Sequence, residues 1–144
     1  MSGLSRQPVS RSLRNMLRRT MALRILLCDD QPDIVESLAM LFDSQGYETA
    51  VCYDGSAAIE KARTWKPHLA FLDIGLPDVS GYEVAAQIRQ MSFGKDVTLV
   101  AFTGYGKPED LERAEEAGFD RHVKKGGDPV VLVEIAARLT RNRG

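Results

Sequence analysis

Five polar side chains stand where short strand-like segments of this chain end. Asp29 and Asp30 follow the run at residues 23–28, Asp73 follows 69–72, Thr103 follows 97–102, and Lys125 comes just after 120–123. If the fold gathers them, the three carboxylates cannot all stay ionised at neutral pH without a counter-charge. A divalent cation supplies one, and an all-oxygen ligand set suits Mg²⁺, which keeps several waters and bridges readily to phosphate. Asp73 would then be the nucleophile, because a carboxylate can take a phosphoryl group as an acyl phosphate. Lys125 would offer a point charge to the phosphoryl oxygens and Thr103 a hydrogen bond, so catalysis would be positioning plus charge neutralisation. Each residue alone has a plainer role. Acids after a strand commonly cap the next helix, and Thr103 could be an ordinary loop threonine. The chemistry rests on the set.

The elements that must position these groups are legible in the hydropathy pattern. Residues 23–28 form an apolar run broken only by Arg24, the mark of a buried parallel strand. Pro32 and Asp33 open a helix, with Ile34, Leu38, Leu41 and Phe42 as its apolar face and Gly46 closing it. Strand character returns at 48–52, 69–72, 97–102 and 120–123. Helices are expected at 56–65, at 82–91 with Val84, Ile88 and Met91 on one face, and at 108–117 capped by Gly118. Asp128 opens a last helix to about residue 141, with Val131, Leu132, Ile135 and Leu139 inward. Gly75, Pro77, Asp78 and Gly81 mark the loop after the third strand. Five β–α units in strict alternation predict a parallel sheet with helices on both faces. Ligands of such folds bind beyond the carboxyl ends of the strands, which is where the five polar residues fall.

Composition narrows the rest. Hydrophobic residues at 44% and charged residues at 27% describe one globular domain of ordinary balance. The expected division is a basic, disordered leader at 1–21, a domain at 22–141 and a short tail at 142–144. The first 24 residues carry six arginines and no acid; the remainder sets 13 basic residues against 20 acids, a net of −7. An acidic body argues against nucleic acid as its direct ligand. No apolar run approaches the roughly 18 residues of a membrane span. Cys28 and Cys52 lie inside apolar runs and read as inert core thiols of a reducing compartment, the cytoplasm. His68 reads as a surface residue.

The segments LLCDDQPD, LAFLDIGLPDVSGYEVA, VAFTGYGKPED and AGFDRHVKKGGDP resemble those of the receiver domain of bacterial two-component response regulators, over about residues 23–139. The resemblance is nearest to stand-alone and hybrid-kinase receivers. It implies an α/β, flavodoxin-like fold with strand order 2-1-3-4-5. It implies a switch or phosphorelay module that takes phosphoryl on Asp73 from a sensor histidine kinase or phosphotransfer protein, and signals by changing the binding of a downstream protein. Such a module is a phosphoacceptor, not a conventional enzyme. The resemblance also implies that Asp29, Asp30, Asp73 and the backbone carbonyl of Gly75 hold Mg²⁺, that Thr103 and Lys125 contact the phosphoryl group, and that Thr103 and His122 act as the switch pair. With five residues after Leu139, no output domain is expected within the chain.

One position departs from the family pattern. The family has proline, usually after a cis bond, where this chain has Gly126. A cis bond to a non-proline residue costs ~2.5–4 kcal/mol, so a trans bond, a rearranged loop and a Lys125 less firmly aimed at the pocket are expected, with Gly126→Pro restoring the family geometry. Two other functions fit parts of the pattern. A degenerate receiver would bind partners without phosphorylation. A metal-dependent phosphohydrolase would want a second acid two residues after Asp73, where Gly75 stands.

Overall fold

The computed structural model describes residues 10–14, 22–104 and 107–143. From Arg24 onward the order is β1 (Arg24–Cys28), α1 (Pro32–Ser44), β2 (Glu48–Cys52), α2 (Gly55–Trp65), β3 (Leu69–Asp73), α3 (Gly81–Arg89), β4 (Thr98–Thr103), α4 (Pro108–Ala117), β5 (Arg121–Lys124) and α5 (Val130–Arg143). The strands form one parallel sheet in the order β2-β1-β3-β4-β5. The expected α/β fold and strand order are therefore both present. The basic leader falls largely outside the described residues; within it, residues 11–14 form one helical turn whose Leu13 N–H is accepted by Ser10 Oγ at 3.1 Å.

Alternation along each strand divides the core in two. Leu26, Ala70, Leu72, Leu99 and Ala101 face α2, α3 and α4, meeting Ala58, Ile59, Val84, Ile88 and Ala114. Ile25, Leu27, Leu69, Phe71, Val100 and Phe102 face α1 and α5, meeting Val35, Phe42, Leu132, Ile135 and Ala136. Phe71 stacks between Phe42 at 5.8 Å and Phe102 at 5.5 Å. Strands buried on both faces explain why their sequences read as continuous apolar runs.

Several expected positions shift. Phe42 and Leu38 of the expected α1 stripe do pack on the core, but Val35 and Ala39 complete that face in place of Ile34 and Leu41. Val131 is 45% exposed, and the inward face of α5 is Leu132, Ile135 and Ala136. Helix α3 ends at Arg89, short of Met91, and α5 runs past the expected end at 141 to Arg143. His68 is not a bare surface residue. It is half-buried, its Nδ1 accepts from Arg24 N at 2.9 Å, and its backbone bridges Arg24 O and Thr98 N. It thereby pins the start of β3 to both neighbouring strands. Arg24, the charged break in the first apolar run, turns its guanidinium to Trp65 O and Lys66 O at the carboxyl end of α2, where a cation suits the helix dipole.

Arg89 ties the far end of the sheet. Its guanidinium donates to Gly94 O and Val97 O, each at 2.6 Å, to Gly118 O at 2.7 and 2.9 Å, and to Asp120 Oδ2 at 2.8 Å. One planar fork thus joins the end of α3, the start of β4 and the turn into β5.

Candidate functional site

Strand ends build the site. β1 delivers Asp29 and Asp30, β3 ends on Asp73, β4 ends on Thr103, and β5 leads into Lys125. Asp29 and Asp73 are 0% and 5% exposed, while Asp30 faces solvent. One carboxylate oxygen from each of the three lies within 4.8 Å of the others. Lys125 Nζ sits between the two buried acids, 2.8 Å from Asp29 Oδ2 and 2.9 Å from Asp73 Oδ2. Burial pulls the Lys125 ammonium towards its neutral form, but its hydrogen bonds to Asp29 and Asp73 outweigh that pull and its pKa rises above the ordinary lysine value. Lys125 is therefore charged throughout the physiological range.

The remaining lone pairs are accounted for differently. Asp29 Oδ1 accepts from Gln31 N at 3.0 Å and Asp73 Oδ1 from Gly75 N at 2.9 Å. Asp29 Oδ2 is wholly buried, and among the described residues the Lys125 ammonium at 2.8 Å is its one neighbouring positive charge, with no second donor. Three carboxylates share this one ammonium, and an all-oxygen cluster open on the Asp30 side fits a hard divalent cation such as Mg²⁺. Thr103 is 1% exposed, and among the described residues its hydroxyl makes one long contact, 3.5 Å to Val123 O. Gly75 is exposed at the start of the following loop. His122 is exposed on β5, paired in register with Ala101.

The loop that follows Asp73 is anchored by residues that the sequence placed only as loop residues. Asp78 accepts from Gly55 N at 2.7 Å, Ser56 N at 3.0 Å and Ser56 Oγ at 2.7 Å. Asp54 Oδ1 accepts from Ala57 N at 2.8 Å, so two acids cap the start of α2. The loop packs so closely that a Cβ on Gly55 would strike Val79 O and one on Gly81 would strike Asp73 O. Hydrogen bonds from the Ser56 hydroxyl and the Val79, Gly55 and Ser56 backbone hold the Asp78 carboxyl well below the usual carboxylate range, against a smaller opposing effect of burial. A lowered carboxyl contributes stability above its unfolded pKa of about 3.9 and loses it as pH falls. Asp78→Ala should therefore lower the melting temperature at neutral pH, and the gap to wild type should narrow as pH drops below about 4. Identical melting curves at pH 7 would contradict this anchoring role.

Cys28 lies beside the acids, with its thiol donating to Asp54 O at 3.3 Å. Burial first, then the Cys52 thiol, push its pKa far above the usual thiol value. It is an inert core thiol, as expected.

Lys125 departs from expectation. The peptide bonds of the described residues are all trans, that to Gly126 included, yet Lys125 reaches both acids. Gly126 itself has φ +79°. Gly127 N donates to Lys124 O at 3.3 Å, closing a turn with Gly126 at the third position, where positive φ marks type II. The chain thus gains a tight turn without proline. Proline, held near φ −65°, cannot adopt this geometry, so Gly126→Pro would disrupt the turn instead of restoring anything.

Among the described residues, no helix is long and apolar enough to cross a membrane. The family model of the response regulator receiver domain matches residues 25–137. The DNA-binding response regulator MtrA of Mycolicibacterium smegmatis is 37% identical over 124 residues, 85% of this chain and 53% of its own length. The chain thus spans about half the length of the curated relatives it matches first. A CheY-like receiver domain protein from Methanospirillum hungatei superposes with a TM-score of 0.77 at 26% identity, covering 84% of this chain and 95% of its own. The receiver domain of a Pseudomonas aeruginosa sensor histidine kinase, solved with magnesium in its active-site cleft, gives a TM-score of 0.76 at 26% identity, over 83% of this chain and 98% of its own. A family match over residues 25–137, a relative at 37% identity and superposable receiver structures converge: this protein belongs to the response regulator receiver domain family of two-component signalling.

Proposed function

We propose that this receiver accepts a phosphoryl group on Asp73, from the phosphohistidine of a kinase or phosphotransfer protein or from a small acyl phosphate donor. The observation that carries the reading is the Lys125 ammonium seated between buried Asp29 and Asp73, with Asp30 at the open side. Asp29, Asp30, Asp73 and the carbonyl of Gly75 would hold Mg²⁺, which supplies charge neutralisation for the phosphoryl oxygens when bound.

The chain's own groups do the rest. An Asp73 carboxylate oxygen forms the new O–P bond as the donor's bond to phosphorus breaks and its electron pair leaves with the donor. The backbone N–H of Gly75 holds the other Asp73 oxygen and so aims the attacking one. Lys125, already charged, follows the negative charge from carboxylate to phosphoryl. Thr103, held by a single long contact, turns its hydroxyl to a phosphoryl oxygen, and exposed His122 repositions with it. That coupled movement would change the surface offered to a downstream protein. The acidic body supports a protein partner over nucleic acid, and two free core thiols are consistent with work in a reducing compartment, the cytoplasm. The DNA binding in the names of relatives belongs to those longer proteins.

Mg²⁺ binding to the native state should raise the melting temperature, by about 2.7 kcal/mol of stability at a hundredfold excess over Kd. Asp30→Asn should weaken that response and slow labelling by acetyl phosphate. Equal Mg²⁺ affinity in wild type and variant, by calorimetric titration, would remove the metal from this reading.

A further inference from the structure

We infer that Gly126 is a positioning residue for the phosphoryl-transfer site: its left-handed turn holds Lys125 against Asp29 and Asp73. The inference rests on the phosphoacceptor reading and adds to it the element that aims the lysine in a chain without the family's proline.

Three observations support it. Lys125 is fixed from behind, because its N–H donates to Thr103 O at 2.9 Å at the end of β4. It is fixed from ahead by the turn from Lys124 to Gly127, closed by the 3.3 Å hydrogen bond between those two residues. Between these anchors the side chain reaches 2.8 and 2.9 Å from two carboxylates on two other strands. The turn demands φ +79° at Gly126, a region open to glycine and tolerated by asparagine, but costly for other L-residues. Space is not the constraint, since a Cβ at Gly126 would meet nothing within 4 Å. Backbone conformation alone decides what this position accepts. A residue that refuses positive φ must turn over the peptide between positions 125 and 126. In a type I turn the residue in the place of Lys125 has ψ near −30° instead of about +120°. The chain between Thr103 and the start of α5 then takes another route, and Lys125 loses its aim.

The test compares wild type, Gly126→Asn, Gly126→Val, Lys125→Ala and the Gly126→Val, Lys125→Ala double variant, labelled by acetyl phosphate at saturating Mg²⁺. Gly126→Val should slow labelling about tenfold, the rate equivalent of forcing a β-branched residue into the left-handed region. Gly126→Asn should stay within about twofold of wild type. In the Lys125→Ala background, Gly126→Val should add no further loss, because it acts through the lysine. Wild-type labelling in Gly126→Val, or the same tenfold loss without Lys125, would overturn the inference. Should Gly126→Val fail to fold, Gly126→Ala against Gly126→Asn makes the same comparison. A metal-free crystal structure of the valine (or alanine) variant supplies a second readout that needs no phosphorylation. Lys125 Nζ out of reach of Asp73 supports the inference; Nζ still on both carboxylates overturns it. Failure of wild type to label would count against the phosphoacceptor reading and leave this structural readout standing.

Discussion

Asp73→Asn is expected to take up no phosphoryl group from acetyl phosphate, while folding as well as wild type. Asparagine keeps the size of the side chain and an oxygen to accept from Gly75 N, so the 2.9 Å contact that opens the following loop survives. What disappears is the anionic oxygen beside Lys125 Nζ. An amide is a poor nucleophile, so the O–P bond cannot form. The same change removes one of three clustered carboxylates and eases their mutual repulsion. Stability in metal-free buffer should therefore match or exceed that of wild type, and Mg²⁺ should add less to it. Labelling retained in this variant would place the acceptor elsewhere. A variant that fails to fold would contradict the account of Asp73 as a functional rather than a structural acid.

Phe71→Ala should be the most damaging single change in the core. Phe71 is fully buried at the centre of β3, stacked between Phe42 of α1 and Phe102 of β4. Removing the ring forfeits its burial and leaves a cavity that the flanking rings can only partly close. The expected cost is about 3–5 kcal/mol, against a total stability of about 5–15 kcal/mol for a domain of this kind. Denaturant unfolding should show the midpoint falling with an unchanged slope. A loss below about 1 kcal/mol would mean that the stack does not bind β3 to α1 as described.

Sequence legibility followed the physics of each feature. Strands buried on both faces must be apolar throughout, so β1, β3 and β4 stood out without a structure. Asp29, Asp30, Asp73 and Thr103 stood out because each follows or closes such a run, at the end where parallel sheets bind ligands. Lys125, by contrast, follows the polar, exposed β5 and was placed by strand alternation and by the family resemblance. Helix faces were less secure. On α1, Leu38 and Phe42 face the core as their spacing implies, but Val35 takes the place of Ile34; both are apolar, so periodicity could not choose between them. Contacts that join distant segments left no local mark. Asp78 reaches back to α2, Arg89 reaches forward to Gly118 and Asp120, and His68 bridges β1 and β4; each looks like a polar residue near a loop. Gly126 is visible as a departure, but nothing local in the sequence shows the turn it forms. Loss of proline suggested a loose lysine, whereas a glycine free to take positive φ builds a tight turn that keeps Lys125 in place.

The central claim is that Asp73 is the phosphoacceptor of an acid cluster that needs a divalent cation. Its most direct test is to treat the wild-type protein with acetyl phosphate and Mg²⁺, trap the acyl phosphate by borohydride reduction, and map the modified residue by peptide mass spectrometry. The account predicts one phosphoryl group per chain, modification at Asp73 alone, and none when a chelator removes the metal. Modification at another residue, or equal labelling with the metal stripped away, would contradict it.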